Sequence, residues 1–316
     1  MKRAQVLTSL AIGIINLAIF YFLVKWLVEN IQLTMLLDQF RRIPIPALLP
    51  PVILHALVLS CYALRLRILM GRSFSASFYL VNLGSGLNAV LPFRVGELAK
   101  LYFAKRIYFL SAAQFFSAGM IEKCCDLIAI GALIIVVVVG SQANFISVHL
   151  AALLFGLVFV TYVAVLLFRK YSHYVERRLS GVIRLQIIIA ALRKYSRVNQ
   201  ALHISTTTLA IWIINVGVVY VAFSGFLPGI EFGVIDAISI LVIAALAVAI
   251  PSAPAGLGVF EAGVAAYLIQ ALQVEKEAAL ACAIVFHMVI TIPQIALTVW
   301  IVAKGLRKQT TGGDVD

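Results

Sequence analysis

A helix needs about 20 apolar residues to cross the hydrocarbon core of a bilayer, and six stretches of this chain reach that length. They lie at roughly 6–28, 46–64, 113–140, 148–168, 204–224 and 279–303. In lipid every backbone N–H and C=O must be satisfied internally, so such runs fold as helices. The expected fold class is therefore all-α integral membrane, with 1–316 forming a single transmembrane domain. Composition agrees: the chain is 63% hydrophobic and 12% charged, against about 25% charged in soluble domains. An ordinary cytosolic enzyme, a disordered tail and a secreted disulfide scaffold are excluded. Met1-Lys2-Arg3 opens like a signal peptide, but the apolar run continues to Trp26 and no small-residue cleavage site follows. It reads as an uncleaved first helix. Cys61, Cys124, Cys125 and Cys282 all sit in apolar stretches without ligand spacing and read as packing residues.

Charge sets the orientation. Lys2 and Arg3 precede the first span; Arg65, Arg67 and Arg72 follow the second; Lys304, Arg307 and Lys308 follow the last. The segment 169–203 holds Arg169, Lys170, Arg177, Arg178, Arg184, Arg193, Lys194 and Arg197 against one acid, Glu176. Connections 141–147 and 225–233 contain no Lys or Arg. By the positive-inside rule both termini then face the cytoplasm of the inner (plasma) membrane, Arg41 and Arg42 being the exception. A net charge of +12 is explained by this bias and by anionic lipid headgroups rather than by nucleic acid. Leu179, Val182, Ile183, Leu185 and Ile187 make the basic segment an amphipathic helix suited to the cytoplasmic leaflet.

Two further apolar stretches, about 76–91 and 234–250, run into Pro/Gly breaks and resume as shorter, more polar helices. The first passes through Asn88, Pro92, Arg94, Gly96 and Glu97, and the hairpin covers about 76–106. The second passes through Pro251, Pro254, Gly256, Gly258 and Glu261, and covers about 234–272. Three full spans separate them, so as re-entrant hairpins they enter from opposite faces and form an inverted repeat around a midplane site. Two simple kinked spans would satisfy the same parity.

Ionisable groups inside a membrane cost about 2.5–3.5 kcal/mol each on insertion scales and need a reason to be there. Arg94, Glu97 and Lys100 share one helical face. They form either a self-neutralising ladder or a cationic pocket in which Arg94 and Lys100 grip a phosphate and Glu97 orients them. Glu122 and Asp126, four apart beside Lys123, require a cation between them, with Arg94 or Lys100 the candidates. A charge network with the first hairpin is favoured over acid/base catalysis. Glu261 suits the start of the helix after the second break. His287 has Glu261 or Glu122 as a candidate partner, with a packing role the plainer reading, and Asp236 reads as a helix-start residue.

These residues resemble the transmembrane region of the lysylphosphatidylglycerol synthases, a flippase-like membrane family. The matching pieces are Asn88 to Lys100, Glu122 to Asp126 and Pro251 to Glu261, on a span pattern running from about 6 to 303. The resemblance implies movement of a lipid with a polar headgroup between leaflets. It points to Arg94, Glu97, Glu122, Asp126 and Glu261 as the functional set. Lys123 stands where the family often has Arg, and His287 where an Arg after an aromatic residue is expected. Only a short tail follows the last span, so a stand-alone form without the aminoacyltransferase domain is expected.

A carrier of an anionic or phosphate-bearing lipid is the favoured reading. A membrane-embedded transferase on a lipid-linked sugar or aminoacyl lipid, and a non-catalytic subunit presenting lipid to another enzyme, are the alternatives. No nucleophile, metal or nucleotide pattern is present in the sequence, so no cofactor is expected. Membrane phospholipid is the expected partner, with a second copy of the chain or a lipid-modifying enzyme as further candidates.

Overall fold

The computed structural model describes residues 31–91, 95–140, 198–249 and 254–310, with Lys25 and Gly156. Apart from those two residues, the expected spans at 6–28 and 148–168 lie outside this set. So do Pro92, Arg94, Pro251 and most of the basic segment 169–203.

Every regular element among the described residues is helical. The helices are α1 (Leu33–Arg42), α2 (Leu49–Met70), α3 (Phe74–Val90), α4 (Val95–Tyr108), α5 (Ala112–Gly140), α6 (Val198–Phe226), α7 (Val234–Ala249), α8 (Val259–Leu272) and α9 (Lys276–Thr310). Short 3-10 turns stand at Ile45–Leu48 and Pro254–Gly256. Four segments, Ile45–Met70, Ala112–Gly140, Asn199–Phe226 and Lys276–Ala303, are long and apolar enough to cross a membrane.

Local chemistry fixes the helix ends. Pro50 and Pro51 open α2, where the missing N–H costs nothing. Gly71 closes it in the left-handed region at φ 65, its N–H bonded to the Arg67 carbonyl at 2.8 Å. Ser73 caps α3 by accepting from the Ala76 N–H at 3.3 Å. Ser111 and Gln114 form a reciprocal box before α5, at 3.1 and 3.2 Å. Asp236 accepts the Gly233 N–H at 2.8 Å at the start of α7, and its other oxygen takes the Tyr267 hydroxyl at 2.7 Å.

Two features depart from the sequence reading. The second span does not stop at residue 64 with Arg65 on its flank: α2 continues to Met70, and Arg65 is 1% exposed. Leu66 and Leu69 keep the extra turns apolar and buried, so the helix carries its arginine inward. The segment before it also forms a helix, α1, on which Leu33, Leu36, Leu37 and Phe40 recur at helical spacing. Leu36 is buried in the main core, while Arg41 and Asp38 pair in the open at 3.4 Å.

Helix α6 packs along α2, and α9 packs against α1, α3 and α8. Phe223 ties the core together, its ring 5.6 Å from Phe232 and 5.1 Å from Phe286 between centroids. The broken elements pack in pairs, α3 on α4 and α7 on α8, and the Pro254–Gly256 turn also touches α3. Helices α3 and α7 have 17 and 16 residues, about 24–26 Å at 1.5 Å per residue, which is short of a hydrocarbon core of about 30 Å. A further pin is the Thr298 hydroxyl, which donates to the Asn82 carbonyl at 2.8 Å and joins α9 to α3.

Candidate functional site: a charged cavity between the broken helices

Helices α2 to α6 and α9 surround a cavity of about 690 Å³, which Val248, Ala249, Ala255, Gly256 and Phe260 also reach. Arg65 is the centre of its wall. The guanidinium grips Asp126 with both terminal nitrogens, at 2.7 and 3.1 Å, and donates to the Thr208 hydroxyl at 3.2 Å. Its Nε lies 3.7 Å from Glu122. The Tyr62 ring, one turn earlier on α2, lies 5.2 Å from the guanidinium carbon. Trp212 Nε1 from α6 donates to Asp126 at 3.4 Å. On the far side of Glu122 stands Lys100 of α4, its Nζ at 4.0 Å from the carboxylate and 5.9 Å from the Phe115 ring centre.

The result is an alternating ladder, Asp126–Arg65–Glu122–Lys100, which crosses α2, α4 and α5. Each charge has an opposite neighbour, as a low-dielectric wall requires. Position on the helices explains it: Glu122 and Asp126 are one turn apart on α5, so both meet the same arginine. Among the described residues the cation that meets both carboxylates is therefore Arg65, which the sequence reading did not name for this place; Arg94, one of the two cations it did name, lies outside them. Lys100 reaches only the outer carboxylate. Its ammonium is held at the limit of ion-pair distance, which leaves donor capacity directed at the cavity.

Asn88 also lines the cavity, and its Oδ1 accepts the Gly96 N–H at 2.8 Å, bridging the break between α3 and α4. Gly96 is required there, because a Cβ would overlap the Gly84 carbonyl oxygen and the Asn88 side chain. Glu97 and Lys123 complete the charged lining and are exposed.

The second break contributes differently. Gly256 and Gly258 take φ values of 79 and 86, the left-handed region that glycine enters without cost. Glu261 turns back to accept the Gly258 N–H at 2.7 Å, capping α8, and accepts His287 Nδ1–H from α9 at 2.6 Å. Of the two partners open to His287, Glu261 is the one it meets. Phe260 stacks on the imidazole at 4.3 Å between centroids. His287 reaches the cavity wall, whereas Glu261 stands behind it and is not part of the lining.

Of the residues singled out in the sequence, the structure brings Asn88, Glu97, Lys100, Glu122, Asp126, Gly256 and His287 to one cavity. Gly96, Gly258 and Glu261 support it from behind. The sequence reading missed Arg65, and also missed His55 and Gln294, which meet across α2 and α9 with Gln294 Nε2 donating to His55 Nε2 at 2.8 Å. Two carboxylates one turn apart in an apolar span are themselves a signal for a third-party cation. An arginine followed by further apolar residues was the place to look.

The family described as lysylphosphatidylglycerol synthase TM region matches residues 13–298. No curated protein matches the chain.

Proposed function

Because the chain belongs to the lysylphosphatidylglycerol synthase TM region family, whose name points to lipid handling in a membrane, we propose that it moves a polar lipid between leaflets. The headgroup passes through the cavity while the acyl chains stay in the bilayer. The substrate class is an anionic or phosphate-bearing lipid. One observation carries this reading: the ladder of paired charges on the wall of a cavity of about 690 Å³, reached by both broken elements. That volume lies within the about 300–1,000 Å³ of small-molecule sites, room for a headgroup and not for a whole diacyl lipid.

The energetics favour the same reading. Charges at membrane depth are retained where they face a wet cavity or a substrate path. Arg65 is buried and holds Asp126 with both terminal nitrogens, so it shapes the wall. Lys100 is the cation loosely enough held to exchange Glu122 for a phosphate oxygen. In this account α3–α4 and α7–α8 are re-entrant hairpins of an inverted repeat, entering from the cytoplasm and from outside respectively, in a plasma-membrane protein with both termini cytoplasmic.

Lipid identification on protein purified from its own membrane tests the substrate class. Near-stoichiometric recovery of one phosphate-bearing lipid is expected, with a clear fall in Lys100→Gln. Equal recovery on both variants would remove Lys100 from the site.

A further inference from the structure

We propose that His287 is a proton-linked donor to the phosphate of the headgroup, so that one proton and one anionic headgroup bind the cavity together. This rests on the lipid reading above and adds to it a coupled ion, the proton. The geometry is that of a carboxylate–imidazole pair whose second nitrogen has no hydrogen-bond partner among the described residues. His287 is 4% exposed and lines the cavity, and its Nδ1 is committed to Glu261 at 2.6 Å. With Nδ1 taken, Nε2 is the ring nitrogen left to serve the cavity. Glu261 uses one oxygen for Gly258 N–H and the other for His287, so both its oxygens already serve as acceptors. Imidazole is intrinsically the more basic of the two groups, so an arriving proton is assigned to Nε2.

The two protonation states present opposite faces to a phosphate. Neutral His287 offers a lone pair at Nε2, which repels a phosphate oxygen. Protonated His287 offers an N–H and a positive charge, balanced behind by Glu261 and stacked on Phe260. Proton and anion thus favour each other's binding, and linkage makes the effect reciprocal. Among the described residues the other titratable groups on the cavity wall are His55, Tyr62 and Arg65 on α2, Glu97 and Lys100 on α4, and Glu122, Lys123 and Asp126 on α5. Arg65, Lys100, Glu122 and Asp126 are paired within the ladder, and His55 Nε2 is occupied by Gln294. None of them is bonded to His287. On the supporting elements, Glu261 is its partner, and Asp236 and Tyr267 bond each other at 2.7 Å.

Titration calorimetry on the full chain in a phosphate-free maltoside micelle tests this, with dihexanoylphosphatidylglycerol as probe. The probe's phosphodiester keeps its charge across about pH 5–8, the range in which histidine changes its own. Measurement in two buffers of different ionisation enthalpy counts the protons. Uptake of about one proton per probe is expected, with affinity rising up to about tenfold per unit fall in pH. In His287→Gln both the uptake and the pH dependence should vanish, while His203→Gln, an exposed site on α6, should behave as wild type. Probe binding that is independent of pH, without proton uptake, overturns the linkage and leaves the lipid reading standing. No binding at any pH overturns both. If His287→Gln does not fold, the ring nitrogen shifts of His287 in the wild-type chain decide. The probe should extend the protonated form to higher pH, and an unchanged titration refutes the proposal.

Discussion

Replacing Arg65 by methionine keeps most of the side-chain volume and removes the charge that separates Glu122 from Asp126. Asp126 loses a two-pronged ion pair at 2.7 and 3.1 Å, Thr208 loses a donor at 3.2 Å, and among the described residues Glu122 keeps Lys100 at 4.0 Å as its cation. Breaking a buried pair by deleting one partner costs about 3–5 kcal/mol, because the remaining charge is stranded. Here the carboxylates retain some contact with the cavity, 16% for Asp126 and 12% for Glu122. The lower end is therefore expected, about 3 kcal/mol, or more than a hundredfold in the folding equilibrium. That is a large share of a total stability of about 5–15 kcal/mol. Detergent unfolding followed by tryptophan fluorescence suits the site, since Trp212 donates to Asp126. Adding Asp126→Leu to the methionine variant removes the stranded charge and should recover about half of the loss. A single variant within about 1 kcal/mol of wild type, or a double variant as weak as the two singles added, would refute a ladder built on Arg65.

Gly96→Ala should weaken the α3–α4 junction by about 1–3 kcal/mol, since the new methyl meets the Gly84 carbonyl and Asn88; unfolding midpoints check this. Tyr267→Phe should cost about 1–2 kcal/mol by leaving Asp236 one donor short at the start of α7, measurable in the same unfolding series. Cysteines placed at Gln142 and Gly229 should react with an impermeant reagent from outside intact cells, and those at Arg178 and Arg307 should not. Labelling of position 178 from outside would reverse the topology.

Much of the architecture can be read from the chain, because membrane helices are local. The expected spans near 46–64, 113–140, 204–224 and 279–303 each fall on a helix, and both Pro/Gly-broken stretches resolve into paired helices. Helix ends were less legible where apolar residues surround a charge. A window that counts Arg65 as a flank stops too early, although Leu66 and Leu69 beyond it are buried. Helix α1 was hidden for the opposite reason. Its ten residues are too short and too polar for a span, and only the spacing of Leu33, Leu36, Leu37 and Phe40 marks it. Pairings are a different matter. Arg65 meets Asp126 across 61 residues and His55 meets Gln294 across 239. Local pattern says that a buried charge needs a partner and not which distant helix supplies it. His287 and Glu261 lie 26 apart on consecutive helices, α9 and α8, and Glu261 was one of the two partners the sequence offered.

Leaflet exchange in vesicles tests the central claim most directly. Wild-type protein is reconstituted with a fluorescent phosphate-bearing lipid, and the fraction protected from an impermeant quencher is followed with time. Ser85→Trp serves as the comparison, because Ser85 is half-buried on α3 and lines the cavity, so an indole there occupies headgroup space while every residue of the ladder is kept. The account predicts exchange well above protein-free vesicles for wild type and near the protein-free level for a folded Ser85→Trp. Exchange by the folded, blocked variant at the wild-type rate would contradict it.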